Sequence, residues 1–67
     1  MAEERIYVVE GMTCAHCERS VAEEVSEVPG VLDVQADHAT GRVVVRGLEV
    51  DQAAVRAAVA EAGYAVA

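Results

Sequence analysis

The spacing of the apolar residues changes repeatedly along this chain, and that alternation constrains the fold more than any other feature. Residues 6–9 are all apolar and mostly β-branched, which predicts a strand over residues 5–10. The next apolar stripe has the period of an α-helix and consists of Cys17, Val21, Val25 and Val28. We therefore predict a helix over residues 15–28, ended by the Pro-Gly pair at 29–30. Because all of residues 6–9 are apolar, the pattern does not say which face of the strand is buried, and a central strand would account for it.

A hairpin is predicted next. Residues 31–37 read as a second strand and residues 42–46 as a third, with alternating apolar positions. The four residues between them, 38–41, are short enough to join two neighbouring antiparallel strands.

The last part of the chain repeats the order of helix and strand. A second helix is predicted over residues 52–62, with Asp51 as its N-cap. Its apolar stripe consists of Val55, Ala58, Val59 and Ala62. Gly63 suits the left-handed position that follows a helix, and residues 64–67 are long enough for a closing strand.

This order, β-α-β-β-α-β, is that of the split βαβ or ferredoxin-like arrangement. We expect an α+β sandwich in which two helices cover one face of a four-stranded antiparallel sheet. No shift in composition marks a boundary, so residues 1–67 are predicted to form a single domain. A chain of this size buries only about 60% of its unfolded surface, which leaves a small core of valine and alanine.

The charge of the chain excludes several classes of partner. Twelve acidic residues face five arginines and no lysine, giving a net charge of −7. Binding to nucleic acid or to an anionic membrane surface through basic groups is therefore not expected. No apolar run approaches the roughly 20 residues of a membrane span. The N-terminal residues lack the basic start of a signal peptide, so we expect a cytoplasmic protein whose thiols stay reduced.

Both cysteines lie in one stretch, residues 11–17, with the sequence Gly-Met-Thr-Cys-Ala-His-Cys at the start of the first predicted helix. Thiolates select soft metals such as Cu(I), and the N-terminus of a helix favours the thiolate over the thiol. A structural zinc site would need four ligands, and the chain adds only His16 and the distant His38. We infer an open metal site formed by Cys14 and Cys17 that passes its metal on by ligand exchange.

The helical stripe distinguishes the two sulfurs. Cys17 shares the buried face with Val21 and Val25, whereas Cys14 lies outside that face. Cys14 is therefore predicted to be the more exposed sulfur and the first point of exchange with a partner.

Most of the other residues that could belong to the site allow more than one interpretation. Met12 is interpreted as a core residue under the loop or as a thioether ligand of copper. Thr13 stabilises the loop or caps the helix. His16 is an exposed loop residue, or it is a third ligand in a copper-bridged homodimer or tunes the cysteine pKa. Tyr64 packs at the end of the second helix or shields the metal loop. His38 is expected to be surface in a turn.

Residues 11–17 resemble the Gly-Met-x-Cys-x-x-Cys motif of the heavy-metal-associated domain family. Residues 29–31, Pro-Gly-Val, and residues 62–64, Ala-Gly-Tyr, resemble later turns of the same family. The resemblance implies that Cys14 and Cys17 bind Cu(I). It also implies a copper chaperone, because free-standing members of about this length deliver Cu(I) to the metal-binding domain of a copper-transporting P-type ATPase.

The same resemblance bears on metal preference. Zinc and cadmium relatives often carry an acidic residue where this chain has Thr13, which favours copper. Mercury, silver, zinc and cadmium remain as other soft metals that the two sulfurs would accept. Tyr64 matches the bacterial pattern, whereas eukaryotic members usually have a lysine there. Since this chain has no lysine, the negative charge of a copper dithiolate would be offset by the helix end and backbone amides.

The sequence is compatible with three functions. The first is a cytoplasmic copper(I) chaperone or carrier, which is not an enzyme. The second is a metal-binding regulatory domain of a copper-transporting P-type ATPase. The third is a thiol–disulfide oxidoreductase, although the Cys-x-x-Cys of that class follows a strand in a different βαβ context.

Overall fold

The computed structural model describes residues 2–67 and has the predicted order of helices and strands. Its elements are β1 (Glu3–Glu10), α1 (Ala15–Ser26), β2 (Val31–Asp37), β3 (Arg42–Gly47), α2 (Gln52–Glu61) and β4 (Ala65–Val66). The strands form one antiparallel sheet in the order β2-β3-β1-β4. The α+β, ferredoxin-like fold expected from the sequence is therefore confirmed.

Strand β1 is a central strand, as its apolar run suggested. It pairs with β3 on one side and with β4 on the other. The two faces of the strand differ in burial. Tyr7 and Val9 are buried on one face, while Ile6 and Val8 on the other are 60% and 49% exposed. The exposed pair therefore lies on the face of the sheet opposite the helices.

Both helices pack on the face of the sheet that carries Tyr7 and Val9. The fully buried side chains come from α1, β3 and α2: Val21, Val25, Val43, Val55 and Val59. They belong to one continuous cluster, which also contains Met12 and Cys17. The core therefore extends to the cysteine-bearing end of α1. Within residues 2–67, neither helix is long and apolar enough to cross a bilayer.

The helix ends differ slightly from the prediction. α1 ends at Ser26, two residues before the predicted end, and Glu27 forms its C-cap. Val28 lies beyond the helix but is still buried, so the apolar stripe continues into the turn. At the start of α2, the carboxylate of Asp51 accepts a hydrogen bond from the backbone N–H of Ala53 (2.9 Å), which confirms the predicted N-cap.

Two glycines bring the two connecting turns together at one end of the sheet. The carbonyl oxygen of Gly30 accepts a hydrogen bond from the backbone N–H of Leu48 (2.8 Å). A Cβ atom placed on Gly47 would lie 2.3 Å from that same oxygen, so only glycine fits there. Because Glu3 pairs with Gly47, and β1 runs from Glu3 to the loop that holds the cysteines, this contact lies at the opposite end of the sheet from that loop.

Candidate metal centre

A short loop connects β1 to α1 and carries the first part of the cysteine motif. Gly11 has a φ of +94°, a conformation that favours glycine and lets the chain turn out of the strand. Met12 follows with its side chain buried in the hydrophobic core. Its burial agrees with the interpretation of Met12 as the residue that holds the loop on the core.

The two cysteines lie at the N-terminus of α1 with their sulfurs together. Cys14 is the N-cap residue, with extended backbone dihedral angles, and Cys17 lies in the first turn. The carbonyl oxygen of Cys14 accepts hydrogen bonds from the backbone N–H groups of Cys17 (3.0 Å) and Glu18 (3.3 Å). The two Sγ atoms are 3.4 Å apart. Metal–sulfur bonds of about 2.3 Å could span up to about 4.6 Å, so one ion can reach both sulfurs after a small opening.

As predicted from the helical stripe, the two cysteines differ in their exposure to solvent. Cys14 is exposed, whereas Cys17 is buried on the helical face that also carries Val21 and Val25. Only one of the two sulfurs is therefore fully open to an approaching molecule.

The local polar groups stabilise the thiolate form of Cys17. They lower the pKa of Cys17 from 9.0 to about 6, and the largest cause is the backbone N–H of Thr13. The hydroxyl of Tyr64 and the thiol and backbone N–H of Cys14 also lower this pKa, while burial opposes them. Backbone amides and neighbouring side chains thus stabilise negative charge on the Cys17 sulfur.

Thr13 does not cap the helix. The N-cap position belongs to Cys14, and no side chain makes a capping hydrogen bond there. The hydroxyl Oγ1 of Thr13 instead lies 3.9 Å from the Sγ of Cys17. The capping interpretation of Thr13 is therefore wrong, because the helix starts one residue later than capping by Thr13 would need.

Tyr64 lies beside the loop that carries the cysteines. A Cβ atom placed on Gly11 would be 3.1 Å from Cδ1 of the Tyr64 ring, so the ring lies directly against the turn. The pKa of Tyr64 is raised, first of all by its hydrogen-bonding interaction with Cys17. The half-buried tyrosine thus lies against the turn at Gly11 and beside the buried sulfur of Cys17.

His16 is exposed on the first turn of α1, and its carbonyl oxygen accepts a hydrogen bond from the Ser20 hydroxyl (3.2 Å). His38 lies in the turn with its side chain 39% exposed, as expected, and it also contacts α1. Its Nδ1 atom donates to Oε2 of Glu18 (2.6 Å), and its backbone N–H donates to the same oxygen (2.7 Å). These bonds hold the pKa of Glu18 below its ordinary value. No sequence signal indicated this pair, because the residues are far apart in the chain.

The fold and the site together define a small α+β domain with a reduced dithiol at the N-terminus of its first helix. The chain belongs to the heavy-metal-associated domain family, whose family model matches residues 6–65.

One relative is reported by sequence similarity and two by structural similarity. The chain is 48% identical, over 59 residues and 87% of its length, to Copper-transporting ATPase 1 of Rhizobium meliloti (strain 1021). It spans only 7% of that relative. Among solved structures, it superposes on a CopZ metallochaperone with a TM-score of 0.91 and 28% identity, covering 97% of this chain and 100% of the other. Oxidized MerP from Ralstonia metallidurans CH34 gives a TM-score of 0.89 and 29% identity, covering 100% and 96%.

Proposed function

We propose that the protein is a copper(I) chaperone or carrier that binds Cu(I) through Cys14 and Cys17 and transfers it by ligand exchange. The observation that carries this proposal is the pair of Sγ atoms 3.4 Å apart at a helix N-terminus, one exposed and one buried. Thiolates prefer Cu(I) to hard cations, and two ligands leave the ion open to a third. The relatives named for copper, an ATPase and a metallochaperone, support the same metal.

The transfer step follows from the difference between the two sulfurs. Cys17, with a pKa of about 6, is largely thiolate at neutral pH and can bind the ion without a base. Cys14 binds as its thiol proton passes to solvent. A thiolate of the partner then approaches from the exposed side and adds as a third ligand. The bond to Cys14 breaks first, and the bond to the buried Cys17 breaks last.

The proposed partner is a metal-binding domain of a copper-transporting P-type ATPase, reached in the cytoplasm. The similarity to an ATPase segment supports this choice, because a similar dithiol domain would offer similar ligands. The exposed His16 leaves room for a copper-bridged homodimer in which it acts as a third ligand. Silver, mercury, cadmium and zinc would compete for the same sulfurs.

A second candidate is a metal-binding regulatory domain within a longer ATPase. It is favoured by the 48% identity to the ATPase segment, compared with 28% to the metallochaperone. The length of the natural reading frame separates the two: continuation into membrane-spanning helices supports the regulatory domain. The third candidate, a thiol–disulfide oxidoreductase, would be supported by catalytic reduction of insulin by the dithiol.

The decisive experiment is an anaerobic titration of the reduced protein with Cu(I) against a Cu(I)-selective chelator. We expect one tightly bound ion, and at least about a hundredfold weaker binding in Cys14→Ser and in Cys17→Ser. Met12→Leu is the matched control, since it removes the thioether but keeps a core side chain of similar volume. Affinity should be unchanged in that variant. Binding only in the micromolar range, or no loss in Cys14→Ser, would contradict the proposal.

A further inference from the structure

A second group of metal-ligating side chains lies outside the dithiol. Glu18, Asp37 and His38 each offer a ligand atom, and these atoms all lie within 4.8 Å of one another. They come from the first half of α1, the last residue of β2 and the turn that follows it. The fold thus joins a helix and a hairpin at this point through one imidazole and two carboxylates.

The group is held in place before any ion arrives. Oε2 of Glu18 accepts both hydrogen bonds from His38, so the carboxylate and the imidazole are fixed on each other. Asp37 is fixed as well, because its Oδ1 atom accepts a hydrogen bond from the backbone N–H of Ala39 (2.9 Å). Each carboxylate also has a second oxygen. A site whose ligands are already oriented loses less entropy when it binds.

The group is also accessible. The side chains of His38 and Glu18 are 39% and 27% exposed, so an ion could enter from solvent and keep water among its ligands. The two carboxylates place negative charge at this spot, in a chain whose net charge is already −7. Access from solvent and local negative charge both favour the binding of a cation.

The donor atoms select the kind of cation. One imidazole nitrogen and two carboxylate oxygens suit borderline divalent ions such as Zn²⁺, and they do not suit soft Cu(I). With metal–ligand bonds of 2.0–2.2 Å, ligand atoms in a tetrahedral site lie about 3.4 Å apart. The 2.6 Å contact between Nδ1 of His38 and Oε2 of Glu18 would therefore open by less than about 1 Å around the ion, and the proton that Nδ1 donates would move to Nε2 or to solvent.

We propose that Glu18, Asp37 and His38 form a second metal site, which binds a borderline divalent cation, Zn²⁺ in particular, separately from the cysteines. The two sites share no ligand. Cys17 and Glu18 are consecutive on α1, so their side chains point about 100° apart. Cys17 faces the core, whereas Glu18 faces the hairpin. The chain would then hold a soft monovalent ion at its loop and a divalent ion at the junction of α1 with the hairpin, so that Zn²⁺ would tie these two elements together.

The test must keep Zn²⁺ off the sulfurs. We would titrate the Cys14→Ser/Cys17→Ser variant with ZnCl₂ by calorimetry and follow the histidine ring nitrogens by NMR. The expected result is one bound ion per chain, with the ring signals of His38 shifted and those of His16 unchanged. Absence of saturable binding up to about 1 mM Zn²⁺, or a shift of His16 instead, would overturn the proposal.

Substitutions then identify the ligands. In the same background, His38→Gln and Asp37→Asn should each weaken Zn²⁺ binding by at least about tenfold. His16→Gln is the matched control, since it removes the chain's other histidine, which has no place in the group. Glu23→Gln controls for the loss of one negative charge on α1. Equal losses in the control variants would overturn the proposal and leave His38 and Glu18 as a structural ion pair only.

A second measurement avoids the cysteine substitutions in case they unfold the chain. Mn²⁺ prefers oxygen ligands such as carboxylates to thiolates, and its unpaired electrons broaden nearby NMR signals. Added in substoichiometric amounts to the reduced native chain, Mn²⁺ should broaden the amide signals of residues 18, 37 and 38 first. Broadening that starts at residues 14–17, or is uniform along the acidic surface, would count against the site.

Discussion

The Sγ atoms of Cys14 and Cys17 lie 3.4 Å apart, yet one is exposed and the other is buried. Cys14 reaches solvent because it is the N-cap residue, with extended backbone dihedral angles that place it outside the helix. Cys17 is three residues further on, in the first turn, and contributes to the core. The two sulfurs thus differ in how easily another molecule can reach them.

The first prediction concerns the titration of the thiols. In the reduced protein, the ultraviolet absorbance of thiolate should show a step near pH 6, assigned to Cys17. The cause is the set of backbone and side-chain hydrogen bonds around its sulfur. The step should disappear in Cys17→Ser. A titration without any step below about pH 8 would contradict the structure of the site.

Tyr64→Phe should raise the pKa of Cys17 above its native value of about 6, because the phenol hydroxyl is one of the groups that lower it. The ring should keep its place against Gly11, so the fold should be unaffected. The same thiolate titration measures the effect. Tyr7→Phe is the matched control: Tyr7 is buried in the core, and its substitution should leave the pKa of Cys17 where it was. An unchanged pKa in Tyr64→Phe would remove Tyr64 from the site.

Stability should depend on pH through Cys17. Its pKa is about 6 in the folded chain and near 9.0 when the chain is unfolded, so between these values the unfolded state binds more protons. The contribution of the thiolate is therefore fully present above about pH 9, and it is lost as the pH falls through about 6. Denaturant unfolding of the reduced protein and of Cys17→Ser, at several pH values, measures it. The difference in unfolding free energy between them should grow with pH, and a constant difference would refute the prediction.

The core is predicted to be sensitive to small losses of side-chain volume. Val21 is fully buried between the sheet and the helices, so Val21→Ala should lower the free energy of unfolding by about 1–3 kcal/mol. Val8→Ala is the matched control, because Val8 is 49% exposed on the open face of the sheet. Its effect should stay within about 0.5 kcal/mol. Equal losses in both variants would mean that the open face is covered in solution.

The helical period was enough to predict the different exposure of Cys14 and Cys17, because a 3.6-residue repeat fixes which positions share a face. The changes in apolar spacing also predicted the order of the strands and helices, and the residue type of Asp51 predicted the N-cap. They could not orient β1, where every residue from 6 to 9 is apolar. Only its pairing with β3 and its position under the helices place Tyr7 inside and Ile6 outside.

No local pattern in the sequence predicts the contact between His38 and Glu18. It exists because α1 packs on β2, which brings the start of the helix to the hairpin turn. Capping of α1 by Thr13 is a local prediction that the structure contradicts. Threonine often caps helices, but here the helix begins after Cys14. The chain at this point uses the backbone of Cys14 instead, and the threonine hydroxyl lies near the sulfur of Cys17.

The contact between Gly30 and Gly47 lies at the end of the sheet farthest from the cysteines, in a molecule 32 Å long. No larger side chain fits at Gly47, whereas Thr13, Ala15 and His16 are exposed around the sulfurs. The residues that the turns require and the residues that surround the sulfurs are therefore different. Substitutions at Thr13, Ala15 and His16 should change the surroundings of the two sulfurs with little loss of folding stability.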